Sequence, residues 1–148
     1  MKIAIGADHA GFKLKESVKG FLKILNVFVT DFGTNSEERV DYPDYAIPVA
    51  EAVAKKEFDF GILICGTGIG MSITANKVKG IRAALCNELF TAHCSKEHNN
   101  ANVLCMGGRI VGEELANEIV KTWLYSEFQG GRHQRRVKKI KEYETNSN

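Results

Sequence analysis

The sequence is short of net charge, of long apolar runs and of paired cysteines, and each shortage removes a class of function. Twenty Lys and Arg against 18 Asp and Glu leave a formal charge of +2, which argues against a general nucleic-acid binder. Most of that excess sits in the last 20 residues. No apolar stretch approaches the ~20 residues of a membrane span. The start, Met1 to Gly6, runs directly into a strand pattern and has no signal-peptide layout. The cytoplasm is therefore the expected compartment, with neither membrane nor nucleic acid as a partner. The four cysteines, Cys65, Cys86, Cys94 and Cys105, form no C-x-x-C pair, so free thiols are expected rather than a disulfide framework. Repeats and low-complexity linkers are also missing.

What is present is an ordinary balance of 44% hydrophobic and 26% charged residues over 148 positions, the size of one domain. A chain of this length buries roughly 70% of its unfolded surface, enough for one core. A single domain over residues 1–148 is expected, with 130–148 as a basic tail. Short apolar runs alternate with helical spacing. Strands are predicted at 3–5, 27–29, 60–65, 82–86 and 102–106. Helices are predicted at 11–25, 45–56, 67–78, 88–97 and 112–124. Strands apolar throughout, separated by helices, imply a parallel sheet covered on both faces. The expected fold is a three-layer α/β/α sandwich, a Rossmann-like five-stranded parallel sheet of order 2-1-3-4-5. After Gly130-Gly131, residues 132–143 read as a further helix whose apolar positions, Val137, Ile140 and Tyr143, are too few to fold alone. It is expected to reach a partner subunit.

The strongest local feature is Cys65-Gly66-Thr67-Gly68-Ile69-Gly70-Met71, a glycine-rich turn between a strand's carboxyl end and a helix. Such a turn aims backbone N–H groups at an anion, either a phosphate or an oxyanion formed during reaction. It matches neither G-x-x-x-x-G-K-[ST] nor G-x-G-x-x-G, so the common nucleotide fingerprints fail. A tight packing turn is the alternative. Cys65 opens the turn and suits a base or nucleophile, against a reading as a buried strand cysteine. Asp8 and His9, in Gly6-Ala7-Asp8-His9-Ala10-Gly11, fall on the same sheet edge. They can bind hydroxyls and move protons, unless Asp8 only caps the next helix. His98, in Glu97-His98-Asn99-Asn100, suits an acid or base at neutral pH. Cys94 and His98 stand four apart, too little for a metal site, and none is expected. His93 is expected to face solvent or pack on the core. Arg132 and Arg136 share a helix face and can grip a phosphate bidentately, with Arg109 joining them.

Taken together, GADHAG (6–11), DYPDYA (41–46), CGTGIGMSITANKVKGIRAA (65–84), EHNNANVL (97–104), GGRIVG (107–112) and GGRHQRRV (130–137) resemble ribose-5-phosphate isomerase type B, within the broader family of type B and galactose-6-phosphate isomerases. The resemblance spans essentially the whole chain. It implies an aldose–ketose isomerase working through an enediolate without a redox or electrophilic cofactor. Cys65 would carry the proton between C1 and C2. Backbone N–H groups of Gly66, Gly68, Ile69 and Gly70 would hold the enediolate oxygen, with Thr67 positioning the ring or supporting the transfer. His98, with Asp8, would assist furanose opening. His9, Arg109, Arg132 and Arg136 would hold the phosphate, and Asn99 and Tyr42 would contact the sugar. The site would lie at a homodimer interface, within a dimer or a dimer of dimers. Some members replace the cysteine by a glutamate in the following helix. Met71 stands there in this chain, which leaves Cys65 as the base.

Three other readings compete. A dinucleotide or phosphate-ligand binding module would use Asp31, 20 residues beyond Gly11, as its ribose acid, but the first turn lacks the glycine spacing. An isomerase for allose or galactose 6-phosphate would differ only in its pocket walls. A non-catalytic subunit is disfavoured by Cys65, Thr67 and His98 occurring together.

Overall fold

The computed structural model describes residues 1–147. Its elements run β1 (Lys2–Ala7), α1 (Phe12–Ile24), β2 (Phe28–Asp31), α2 (Pro43–Ala54), β3 (Phe60–Cys65), α3 (Ile69–Ala75), β4 (Ala83–Leu85), α4 (Leu89–Glu97), β5 (Val103–Gly107), α5 (Glu113–Tyr125) and α6 (Arg132–Asn146). All strand pairs are parallel. Alternate strand residues feed two cores. Ile3, Ile5, Ile62, Ile64, Leu104 and Met106 meet Leu14, Val18, Leu22, Ala92, Ile119 and Trp123 of α1, α4 and α5. Ala4, Leu63, Cys65, Val103 and Cys105 meet Ala46, Val49, Val53, Met71 and Ala75 of α2 and α3. The period of two along each strand thus supplies both faces of the sandwich. Among the described residues no helix is long and apolar enough to cross a membrane.

The strand order is β2-β1-β3-β5-β4, not 2-1-3-4-5. Every residue of β5 is buried, so it needs a strand on each side. β4 has only three residues, none of them buried, and such a strand tolerates the sheet's rim. Helix boundaries also move. α3 is shorter than 67–78, because the glycine turn is not helical until Ile69. Pro43 opens α2 two residues early, at a position where its missing N–H costs nothing.

The tail helix α6 is seated on its own chain. His133 and Val137, four residues apart on one face, are its buried residues, and the Glu144 carboxylate accepts the Gly80 amide at 2.9 Å. Ile140 and Tyr143 remain 53% and 76% exposed. Reaching a partner is therefore not the helix's only support, since one stripe packs at home and the other stays open.

Candidate functional site

The carboxyl edge of the sheet gathers the first group of expected site residues. β3 delivers Cys65 there, only 4% exposed. The chain then turns through Gly68, whose backbone is left-handed at φ 81°. That conformation, natural to glycine, swings the Gly68 amide back onto the Cys65 Sγ at 3.1 Å. The Ile69 amide donates to the Thr67 hydroxyl at 3.3 Å. The Gly68 and Ile69 amides, expected to face substrate, are thus turned onto the sulfur and the hydroxyl. Donors for an external oxygen then fall to the rest of the turn, Gly66, Thr67 and Gly70. The Tyr42 ring lies against Gly70, where an added Cβ would come within 2.6 Å of it. The Arg109 guanidinium reaches Gly66, its Nη1 3.4 Å from the position of an added Cβ. Thr67, Tyr42 and Arg109 are exposed around this mouth.

Asp8 and His9 follow β1 on the same edge, since Ala7 is the Cα partner of Ile64. Asp8 is buried, and its Oδ1 accepts the amides of Ala10 at 2.9 Å and Gly11 at 3.1 Å. It therefore does stabilise the turn into α1. A side chain at Gly11 would sit 2.3 Å from the Ile64 carbonyl oxygen, so this turn rests directly on the strand carrying Cys65. The His9 Nδ1 is engaged by the Val40 backbone at 3.2 Å, which leaves Nε2 as the nitrogen a ligand can use.

The second group stands elsewhere. β3 and β5 are paired from Gly61 with Val103 to Cys65 with Gly107, a span of about 13 Å at ~3.3 Å per residue. α4 returns to the amino edge, and the Arg82 guanidinium at the start of β4 donates to the carbonyl oxygens of Asn99 and Asn100. His98 and Asn99 therefore lie at the opposite edge from Cys65. The His98 ring stacks on His133 of α6 with centroids 4.3 Å apart. Burial first, then His98 and the exposed Arg132 and Arg136, hold down the protonation of His133. Asn99 lines an open cavity of about 540 Å³ with Arg82, Ile140 and Tyr143. Arg109 does not join Arg132 and Arg136 within one chain. Its turn follows the carboxyl end of β5, whereas theirs follows the bonds of Gln129 to the end of α4, backbone to Glu97 O at 3.1 Å and Nε2 to Oε2 at 3.0 Å.

Contacts define the state of two further residues. His93 is half-exposed, with Nδ1 at 2.8 Å from the Ser126 hydroxyl and Nε2 at 3.1 Å from Glu97. Asp31 is saturated. Its Oδ2 accepts Lys15 and Lys19, and its Oδ1 accepts the Gly33 amide at 2.8 Å, so a ribose hydroxyl finds no free oxygen there. Those two ammonium groups and the Gly33 amide hold its carboxyl below the usual range, against the opposing effect of burial. Two residues escaped the sequence reading. Asn87 fixes the turn after β5 by accepting the Gly107 amide at 2.9 Å, and His133 carries no apolar signal in the helical pattern.

A profile of the family described as Ribose/Galactose Isomerase matches residues 3–140. The chain belongs to this family. Among members of the Ribose/Galactose Isomerase family, it is 54% identical to the ribose-5-phosphate isomerase B of Escherichia coli, with 99% of each chain covered. It is 45% identical to a D-erythrulose-4-phosphate isomerase of Pectobacterium atrosepticum, covering 97% of this chain and 95% of that one. The ribose-5-phosphate isomerase B structure of Clostridium thermocellum superposes with a TM-score of 0.98 at 56% identity, covering all of both chains.

Proposed function

We infer that this chain is an aldose–ketose isomerase that interconverts ribose 5-phosphate and ribulose 5-phosphate through an enediolate, as one isomerase domain. The observation that carries the reading is the Cys65 sulfur at the foot of the glycine turn, accepting a hydrogen bond from the Gly68 amide. Its likeness to ribose-5-phosphate isomerases B over nearly the whole chain names the sugar. The Cys65 thiolate takes the proton from C2 of the open aldose, and negative charge moves onto O1. The hydroxyl proton of O2 passes to O1 beside Thr67. The thiol returns its proton to C1, leaving a carbonyl at C2. Backbone donors of the turn meet the developing oxyanion, each contributing about 3–4 kcal/mol. The positioned base adds about 10²–10⁴-fold.

The phosphate end and the ring-opening acid require His98, Asn99, Arg132 and Arg136, which one chain holds at its other edge. A second copy supplies them, bringing its amino edge to the carboxyl edge of the first, so the working unit is a homodimer or a multiple of it. Exposed apolar side chains beside the mouth, Ile69 and Ile73 one turn apart on α3 and Phe90 on α4, support burial there by another subunit. His9 and Arg109 of the first chain close on the phosphate. A coupled assay on ribose 5-phosphate, run beside allose 6-phosphate, galactose 6-phosphate and an NAD titration, tests the reading. Turnover is expected on the pentose phosphate. Tight NAD binding with no turnover of any aldose phosphate would overturn it.

A further inference from the structure

The contact between His98 and His133 is unusually well defined for a pair of surface-helix residues. The two rings are 4.3 Å apart and within 10° of parallel. His133 is 5% exposed, and its Nε2 is buried without a hydrogen-bond partner. Its placement is built in three ways. Gly130 and Gly131 both take positive φ, 69° and 54°, so the chain can turn sharply into α6. Gln129 fastens the approach to Glu97 by both backbone and side chain. Val137, one turn on from His133, is buried on the same stripe. The segment is thereby anchored so that one imidazole covers the face of the other. Charges from both elements bear on His133. Burial above all, then His98, Arg132 and Arg136, lower its protonation, and Glu97 opposes them.

We propose that His133 is a positioning residue for His98: its stacked ring fixes the plane and reach of the His98 imidazole, so that His98 can pass a proton to the furanose ring oxygen of the substrate. This rests on the isomerase reading above, and on His98 acting in ring opening. The consequence is selective. A substrate that must open a ring needs the stack, and a substrate already open does not. D-erythrose 4-phosphate carries its phosphate on the oxygen that a furanose would use, so it stays open. Ribulose 5-phosphate, a 2-ketose, is open for the same reason.

The experiment compares wild type, His98→Leu, His133→Leu and His133→Phe on ribose 5-phosphate and D-erythrose 4-phosphate. Leucine fills space without a flat face, whereas phenylalanine keeps the face. Phenylalanine also leaves no buried nitrogen unpaired, so that variant is expected to fold at least as stably as wild type, checked by its Tm. The expected result is a fall in kcat on the pentose of about tenfold or more for both leucine variants. In His133→Leu, KM for both sugars and kcat on the tetrose stay within about twofold of wild type, and His133→Phe restores pentose turnover. Should wild type not turn over the tetrose, uptake of solvent deuterium at C1 of ribulose 5-phosphate supplies the open-chain arm. Equal loss on both substrates in His133→Leu, or unchanged pentose turnover, overturns the positioning role alone. A His98→Leu variant that fails to distinguish the substrates overturns the ring-opening assignment and this proposal with it. Inactive wild type removes the isomerase reading itself.

Discussion

The Cys65 sulfur and the Gly68 amide are joined across the turn after β3 by a 3.1 Å hydrogen bond. The bond exists because Gly68 is left-handed, with φ 81°, and because nothing larger than hydrogen fits at its Cα. An added Cβ would stand 2.5 Å from Leu85 Cδ1 and 2.8 Å from the Met106 carbonyl carbon. Gly68→Ala is therefore expected to lose about 1–3 kcal/mol to backbone strain, with the clash in addition. Thermal unfolding should show a Tm several degrees lower, and turnover should fall with it. A variant of wild-type stability and rate would show that the turn does not need this geometry.

Removing the sulfur separates chemistry from binding. Cys65→Ala keeps the buried packing nearly intact, because only one atom leaves a small site. Turnover of ribose 5-phosphate is expected to fall by about 10²–10⁴-fold, while calorimetry still detects binding of the sugar phosphate. Near-normal turnover in this variant would reject Cys65 as the base.

Because Cys65 and His98 sit at opposite edges of one sheet, two variants impaired on ribose 5-phosphate should repair each other. Cys65→Ala and His98→Leu chains are mixed, unfolded and refolded together to form the proposed homodimer. Random reassociation makes half of the dimers mixed, each with one site that draws an intact Cys65 from one chain and an intact His98 from the other. Activity on ribose 5-phosphate should rise to about a quarter of wild type, as two-fold symmetry requires. No recovery, with mixed dimers demonstrated by mass, would place both residues in one chain's site.

Lys96 gives a stability signature that is independent of the site. Its ammonium is 3.6 Å from the Phe60 ring centroid and 4.5 Å from that of Trp123, in a side chain only 5% exposed. Desolvation, with the Arg82 charge second, lowers its pKa to about 8, while the two ring faces favour the charged form. Between pH 8 and about 10.5 the unfolded chain holds a proton that the folded chain has released, so this group makes stability rise with pH. Lys96→Met removes that dependence. Urea unfolding should show the variant's stability relative to wild type declining from pH 8 to pH 10. A constant difference would mean that Lys96 does not titrate in this window.

Much of this molecule was legible in its residues. Apolar runs separated by helical spacing can only make a covered parallel sheet, and a glycine-rich turn after the run ending at Cys65 must open at the carboxyl edge. Even the split of the site had a signal, since His98 closes a helix and precedes a strand and so belongs to the amino edge. Other features depend on contacts between distant segments. The rank of β4 and β5 was set by which strand could be buried on both sides. The aim of the Gly68 amide depends on one backbone angle, held by Leu85 and Met106. The pairing of His98 with His133 brings together residues 35 positions apart, through a tail helix whose pattern shows only Val137, Ile140 and Tyr143 as apolar. Local sequence determines which elements form and which edge their loops reach, because those follow from periodicity and strand direction. Tertiary packing decides which side chains finally meet, because that follows from the whole chain's competition for buried surface.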